Sequence, residues 1–136
     1  MKIVSWNVNS VKSRLEHLVK YLRETAPDVM LLQELKCQNE AFPAMEIEDC
    51  GYNLAIHGQK TYNGVAILSK HRIEDVFKGF DDEQSRYIEA VTNNVRVASV
   101  YVPNGQEVGS DKFKYKLEFF EKLRNRMQEI NQFDEK

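Results

Sequence analysis

The sequence has no excess charge of either sign, almost no cysteine and no long apolar run, and each absence removes a class of protein. Nineteen lysines and arginines stand against 21 aspartates and glutamates, a net charge of −2. A dedicated nucleic-acid binder is usually basic on at least one face. A near-neutral chain therefore touches phosphates through a few placed groups and a metal, or not at all, and composition by itself leans against DNA. The two cysteines, Cys37 and Cys50, make neither a C-x-x-C nor a Cys/His ligand spacing. That argues against structural zinc and for a reduced intracellular compartment. No apolar run approaches the ~20 residues of a membrane span, so no membrane partner is expected. The N-terminus enters a strand pattern directly, without a signal-peptide layout. There is no internal repeat, low-complexity tract or linker. At 136 residues the chain suits one domain, able to bury roughly two-thirds of its unfolded surface.

What is present is an alternation of strand and helix patterns. Lys2 to Trp6 reads as a short strand, followed by the loop-forming Asn7-Val8-Asn9-Ser10. Ser13 to Glu16 has the form of a capping box, and Leu15, Leu18, Val19 and Leu22 recur on one helix face to about Glu24. Pro27-Asp28 then punctuates the chain before Val29 to Leu32, an unbroken apolar run typical of a strand buried on both faces. A short helix is expected over Ala44 to Cys50, and strands over Asn53 to His57 and Gly64 to Ser69. Asp81 to Ser85 reads as a loop. Tyr87 to Thr92 and Val95 to Val102 form strand patterns around Asn93-Asn94, a hairpin turn because Asn tolerates positive φ. Period two puts Val95, Val97, Ser99 and Tyr101 on one face. From about Asp111 to near Gln132 a long helix carries the stripe Phe113, Leu117, Phe120, Leu123, Met127 and Ile130, read as core. His57 and His71 read as surface residues near strand ends.

Polar groups collect where these strands end. Asn7 and Asn9 follow the first, and Gln33, Glu34 and Lys36 follow the second. Arg86 opens the hairpin, which ends at Tyr101 and Asn104. Ligands in open α/β sheets gather beyond the carboxyl ends of strands. Gathered on one edge, these residues would offer carboxylate and amide oxygens to a hard cation, a phenol as hydrogen bonder and a guanidinium for phosphate. Mg2+ takes few protein oxygens and keeps room for phosphate oxygens. Residue by residue, the same positions also read as a solvated charge pair after a core strand, turn asparagines and a packing tyrosine.

Four motifs in order decide more. Ile3-Val4-Ser5-Trp6-Asn7-Val8-Asn9-Ser10-Val11, Gln33-Glu34-Leu35-Lys36, Gly64-Val65-Ala66-Ile67-Leu68-Ser69-Lys70 and Tyr101-Val102-Pro103-Asn104-Gly105, with Lys114-Tyr115-Lys116 after them, closely resemble the exonuclease III family of abasic-site DNA endonucleases. That family lies within the endonuclease/exonuclease/phosphatase superfamily, and the resemblance runs from residue 1 to about residue 125. It implies an α/β fold, half of a four-layer α/β sandwich with a mixed sheet and flanking helices. It implies Asn7 and Glu34 as ligands of Mg2+ (or Mn2+), Tyr101 as the active-site tyrosine on the scissile phosphate, and Asn104 as a phosphate-contacting amide. Arg86 matches an arginine beside the site and Lys36 the lysine after the metal carboxylate. Some relatives carry Asp where Asn9 stands, so no metal role is carried over to Asn9. The implied activity is hydrolysis of a phosphodiester 5′ to an abasic site in double-stranded DNA, with 3′-end trimming, in base-excision repair. The implied location is the cytoplasm, with the nucleoid.

The family chain is about twice as long and is pictured as two similar halves with sheets face to face. On that picture residues 1–136 are the N-terminal half and the C-terminal half is absent, with its Gly-Asp-x-Asn motif and Asp-His pair. The inner face of the sheet would then lie bare, an apolar patch larger than monomers tolerate. A partner is expected, either the missing C-terminal half or a second copy by self-association. The alternative is a catalytically inert half-domain, a gene relic with at most weak DNA or metal binding. A superfamily relative acting on phosphoinositides fits the Gln-Glu-Leu-Lys and Tyr-Val-Pro-Asn-Gly motifs less well.

Overall fold

The computed structural model describes residues 1–80 and 82–133, in two compact units, Met1–Tyr101 and Val102–Lys136. In the first unit, strands β1 (Ile3–Asn7), β2 (Val29–Gln33), β3 (Asn53–His57) and β4 (Val65–Ser69) form a mixed sheet of order β1-β2-β4-β3. β1 runs parallel to β2, and β4 is antiparallel to both β2 and β3. Strands β5 (Ile73–Lys78), β6 (Tyr87–Thr92) and β7 (Val95–Val100) form a second, antiparallel sheet. Helices α1 (Leu15–Thr25) and α2 (Ala44–Glu48) cover one face of the first sheet. There Leu18, Leu22 and Ile47 pack with Met30, Leu32 and Leu68.

The other face of that sheet is not bare. Val29, Val65 and Ile67 pack against Ile88, Ala90 and Val97 of the second sheet in one buried cluster. The expectation of an uncovered inner face therefore fails, because this chain supplies strands to both packed sheets. β4, buried at all five positions, is the layer between helices and second sheet. Its continuous apolar run follows from having no solvent face.

The expected elements are present with small shifts at their ends. β5 went unread: charged Glu74 and Asp75 and a bulge between Glu74 and Phe77 interrupt any alternation. The capping box does not form. The N-cap is Arg14 with no side-chain bond, and the Ser13 N–H donates to Ser10 Oγ at 3.3 Å. The reason lies upstream. Val8, Ser10 and Val11 N–H groups donate to Gln33, Glu34 and Leu35 carbonyls at 3.0, 2.9 and 3.1 Å. Tied to the segment after β2, the chain cannot enter the helix before residue 14. Asn93 and Asn94 take φ of 51° and 62° in the β6–β7 turn, as read. Asp81, at the edge of the expected loop, lies outside the described residues.

The second unit is built on α3 (Asp111–Asn131), capped by Ser110 Oγ accepting the Phe113 N–H at 3.1 Å. Its apolar stripe is not the core it was read as. Leu117, Phe120 and Met127 are exposed, and the buried side chain of the helix is Phe119. A single helix has no second element within its own unit against which to bury a stripe.

Candidate active site

The strand ends of the first unit converge at one end of the two sheets. The register pairs Asn7 with Gln33, Gln33 with Val65, and Val65 with His57. Gly64 N–H donates to the Ser85 carbonyl and Tyr101 N–H to the Arg86 carbonyl, which brings the open end of the hairpin to the same edge. Gly64 has φ +95°, and a Cβ there would stand 2.9 Å from Leu35 Cβ. Only glycine lets this loop close on the residue beside Glu34.

Glu34 is the centre of the cluster. Asn7 Nδ2 donates to its Oε1 at 3.0 Å, Lys36 Nζ stands 3.6 Å from Oε2, and the Tyr101 phenol is near enough to act on the charge of its carboxylate. Partial burial pushes the Glu34 carboxyl up, but the bond from Asn7, the Tyr101 phenol and the Lys36 charge outweigh it and hold it below the usual range. Tyr101 moves the other way. Burial first, then the neighbouring Glu34 carboxylate, raise the phenol above its ordinary value, with Arg86 opposing. The phenol therefore stays protonated at neutral pH and keeps a proton to donate. Arg86 lies over the Tyr101 ring at 4.7 Å, with Nη1 donating to the Tyr101 carbonyl at 3.3 Å and Nε to Gln84 Oε1 at 2.7 Å.

The backbone around these groups is strained. Asn9, Ser10, Glu34 and Lys36 have φ of 44°, 84°, 55° and 56°, and Thr61 and Asn63 in the facing loop have 70° and 56°. Each non-glycine residue in this region costs on the order of 1–3 kcal/mol and persists only where the surroundings enforce it. Here the enforcement is a set of backbone bonds, including Lys36 N–H to the Asn63 carbonyl at 2.9 Å.

Of the residues expected at the site, the first unit brings together Asn7, Glu34, Lys36, Tyr101 and Arg86. Asn104 belongs to the second unit, where its Oδ1 accepts the Gln106 N–H at 3.0 Å. It is not among the groups gathered around Glu34 within the first unit. Asn9 joins the cluster: its Oδ1 accepts from Lys36 Nζ at 2.6 Å and its N–H donates to Asn7 Oδ1 at 3.1 Å. Behind Glu34, the buried Gln33 donates to Ser99 Oγ at 3.0 Å, and Ser99 to the Leu32 carbonyl at 2.7 Å, pinning β2 to β7. The signal for Ser99 was in the sequence, a hydroxyl on the same alternate face as Val97 and Tyr101. His57 is not a surface residue. It is half-buried, and desolvation, followed by the Lys78 charge, pulls its imidazole below the ordinary value.

The donors fit a hard cation. Among the described residues no three of His, Cys, Asp and Glu gather. A cation here would rest on one ionised carboxylate and on asparagine oxygens, with an ammonium already drawn to the same atoms. Such a sparse oxygen set suits Mg2+ or Mn2+ better than zinc.

Two stacked sheets thus carry one ionised carboxylate, a protonated phenol and a guanidinium at their common edge. The chain belongs to the Endonuclease/Exonuclease/phosphatase family, which it matches over residues 4–130. It is 35% identical over 132 residues to exodeoxyribonuclease III of Haemophilus influenzae, covering 90% of this chain and 49% of that protein. Among solved structures, it is 43% identical to the 3′ phosphatase NExo from Neisseria bound to product DNA hairpin. That match has a TM-score of 0.88 and covers 94% of this chain and 53% of the other. An AP endonuclease from Archaeoglobus fulgidus is similar at 38% identity and a TM-score of 0.89, over 95% and 51%. The chain thus spans about half the length of the relatives it matches.

Proposed function

We propose that this chain carries the cation-binding and phosphate-binding side of a DNA-repair nuclease active site. The reaction is hydrolysis of a phosphodiester 5′ to an abasic site in duplex DNA, with trimming of 3′ ends as the related activity. The observation that carries the reading is Glu34, ionised just beyond β2, hydrogen-bonded by Asn7 and paired with Lys36, with the Tyr101 phenol beside it. The names of the relatives, exodeoxyribonuclease III and AP endonuclease, support the same class.

In this reading Glu34 and Asn7 hold Mg2+, with Mn2+ as a substitute, and the bound ion supplies Lewis-acid polarisation of a phosphoryl oxygen. Tyr101 would donate its hydroxyl proton to a non-bridging phosphate oxygen, a charge-assisted bond in a half-buried setting. Arg86, stacked on the phenol, fixes the ring and adds positive charge beside the phosphate. The gathered residues include no group placed to activate water, which assigns that task to the portion of the relatives this chain does not span. Residues 1–136 then act as an N-terminal half, completed by a C-terminal half or by a second subunit.

The test is Mg2+-dependent incision of an abasic-site duplex by the purified chain, alone and with a separately expressed C-terminal half of a relative. Weak incision alone, strong incision on addition and loss of both in Glu34→Ala are expected. Incision that survives Glu34→Ala, or none in any mixture, overturns the proposal.

A further inference from the structure

The most unusual feature of the cluster is where Lys36 puts its charge. A lysine after a strand normally extends into water, where its side-chain entropy is kept. Lys36 instead folds back, with Nζ 2.6 Å from Asn9 Oδ1 and 3.6 Å from Glu34 Oε2, its side chain only 34% exposed. Both residues that hold it sit in left-handed backbone, Asn9 at φ 44° and Glu34 at 55°, as does Lys36 itself at 56°. The strain is kept by backbone bonds from Ser10 to Glu34 and from Lys36 to Asn63. The scaffold therefore forces an ammonium onto one carboxylate oxygen and one amide oxygen, the donor types a divalent cation takes.

We propose that Lys36 is a tethered placeholder for the divalent cation, a positioning residue that is held by Asn9, competes with the ion for Glu34 and is displaced when the ion binds. The inference rests on the reading of Glu34 as the cation ligand. Three consequences follow from electrostatics. The tether keeps the Glu34 carboxylate aimed, so that no reorganisation of it is needed on loading. It weakens cation affinity, since the ion must displace an ammonium as well as its own water. It also couples loading to the release of a free ammonium at the edge where phosphate is expected, so that cation and phosphate binding favour each other. A lysine that merely repelled the ion would share the second consequence and not the first. Its removal would relieve repulsion without loosening the cation-free protein.

The experiment uses the full 136-residue chain, stripped with chelator, with Mn2+ as probe read by loss of its free-ion resonance signal. The chelated protein's thermal midpoint is read in parallel. Lys36→Met keeps the stem and removes the charge. Expected is a Kd for Mn2+ about five- to tenfold lower than wild type, the lower end of ordinary coupling between ligands, together with a lower midpoint in chelator. Asn9→Ala, which cuts the tether from the other side, lowers the midpoint in the same way. Unchanged or weaker Mn2+ binding in Lys36→Met, or tighter binding with an unchanged or higher midpoint, overturns the placeholder. Glu34→Gln separates the two readings. If it leaves Mn2+ binding intact, the cation reading itself is wrong; if it abolishes binding while Lys36→Met has no effect, only the placeholder is wrong.

Discussion

The first sheet carries a carboxylate and a basic partner at each of its ends, and the two pairs are built differently. At the far end Asp28 stands 3.5 Å from His71 Nε2 and accepts the Lys2 N–H at 2.7 Å. That backbone bond, and after it His71, holds the Asp28 carboxyl below its ordinary value against a desolvation penalty. Its left-handed residues suit their places: Ala26 ends α1 as a left-handed cap, and Asn93 and Asn94 make a hairpin turn. At the near end Glu34, Lys36, Ser10 and Thr61 take the same conformation. A glutamate, a lysine and a threonine gain nothing locally from it. At the far end the left-handed residues serve a helix cap and a hairpin turn, and at the near end they flank the acid itself. Strain gathered at a carboxylate held by Asn7 and Lys36 is what motivates the proposed role of Glu34; an ion pair alone would not.

The contrast can be broken by exchanging the roles of the two acids. Glu34→Gln is expected to lower cation-dependent incision of the completed enzyme by about a thousandfold or more, as for members of a cooperative catalytic set. Asp28→Asn is expected to leave incision within about twofold of wild type, the scale of a surface substitution that keeps its backbone bond, while lowering the melting midpoint. Gel-based incision and thermal melts on both variants suffice. Equal losses of activity would erase the distinction between the ends.

Relieving strain sharpens it. Thr61→Gly at φ 70° should raise stability by about 0.5–1 kcal/mol, the left-handed penalty of roughly 1–2 kcal/mol less the entropy cost of glycine. Asn94→Gly, already comfortable at φ 62°, should change it by only a few tenths of a kcal/mol. Urea denaturation of the pair checks the difference, and a reversed order would place the strain at the wrong end.

The smallest expected effect is a pH dependence at His57. Its folded imidazole titrates below the unfolded value near 6.5. In the window between those values the unfolded chain binds the extra proton, so stability falls as pH drops below 6.5 and levels off beneath the folded value. His57→Gln should flatten that part of the stability profile between pH 7.5 and about 5. An unchanged slope in urea midpoints would remove His57 as its source.

How much of this was legible depended on the range of the interaction. The strand over Asn53–His57 and the turn at Asn93-Asn94 were readable because apolar runs and turn chemistry are local. So was the shared face of Val95, Val97, Ser99 and Tyr101, since period two is a property of the strand alone. The resemblance to the family pointed to Asn7, Glu34, Lys36, Arg86, Tyr101 and Asn104, of which the first five lie together in the first unit and Asn104 belongs to the second. β5 was not legible, because its pairing with β6 overrides a charged, bulged sequence. The failed capping box shows the same rule, since Ser10 and Val11 answer to carbonyls more than twenty residues away.

By itself, then, the sequence determined most of the elements, the family and the chemical types at the strand ends. Those follow from propensity, periodicity and motif, all of which act along the chain. Only the tertiary structure decided that one chain contributes to both packed sheets, covering the face expected to be bare. It also decided that Lys36 turns back onto Asn9 and Glu34 instead of into solvent. Both outcomes are set by which strand ends meet across the fold, and charge and burial act on distance in space, which separation in sequence does not encode.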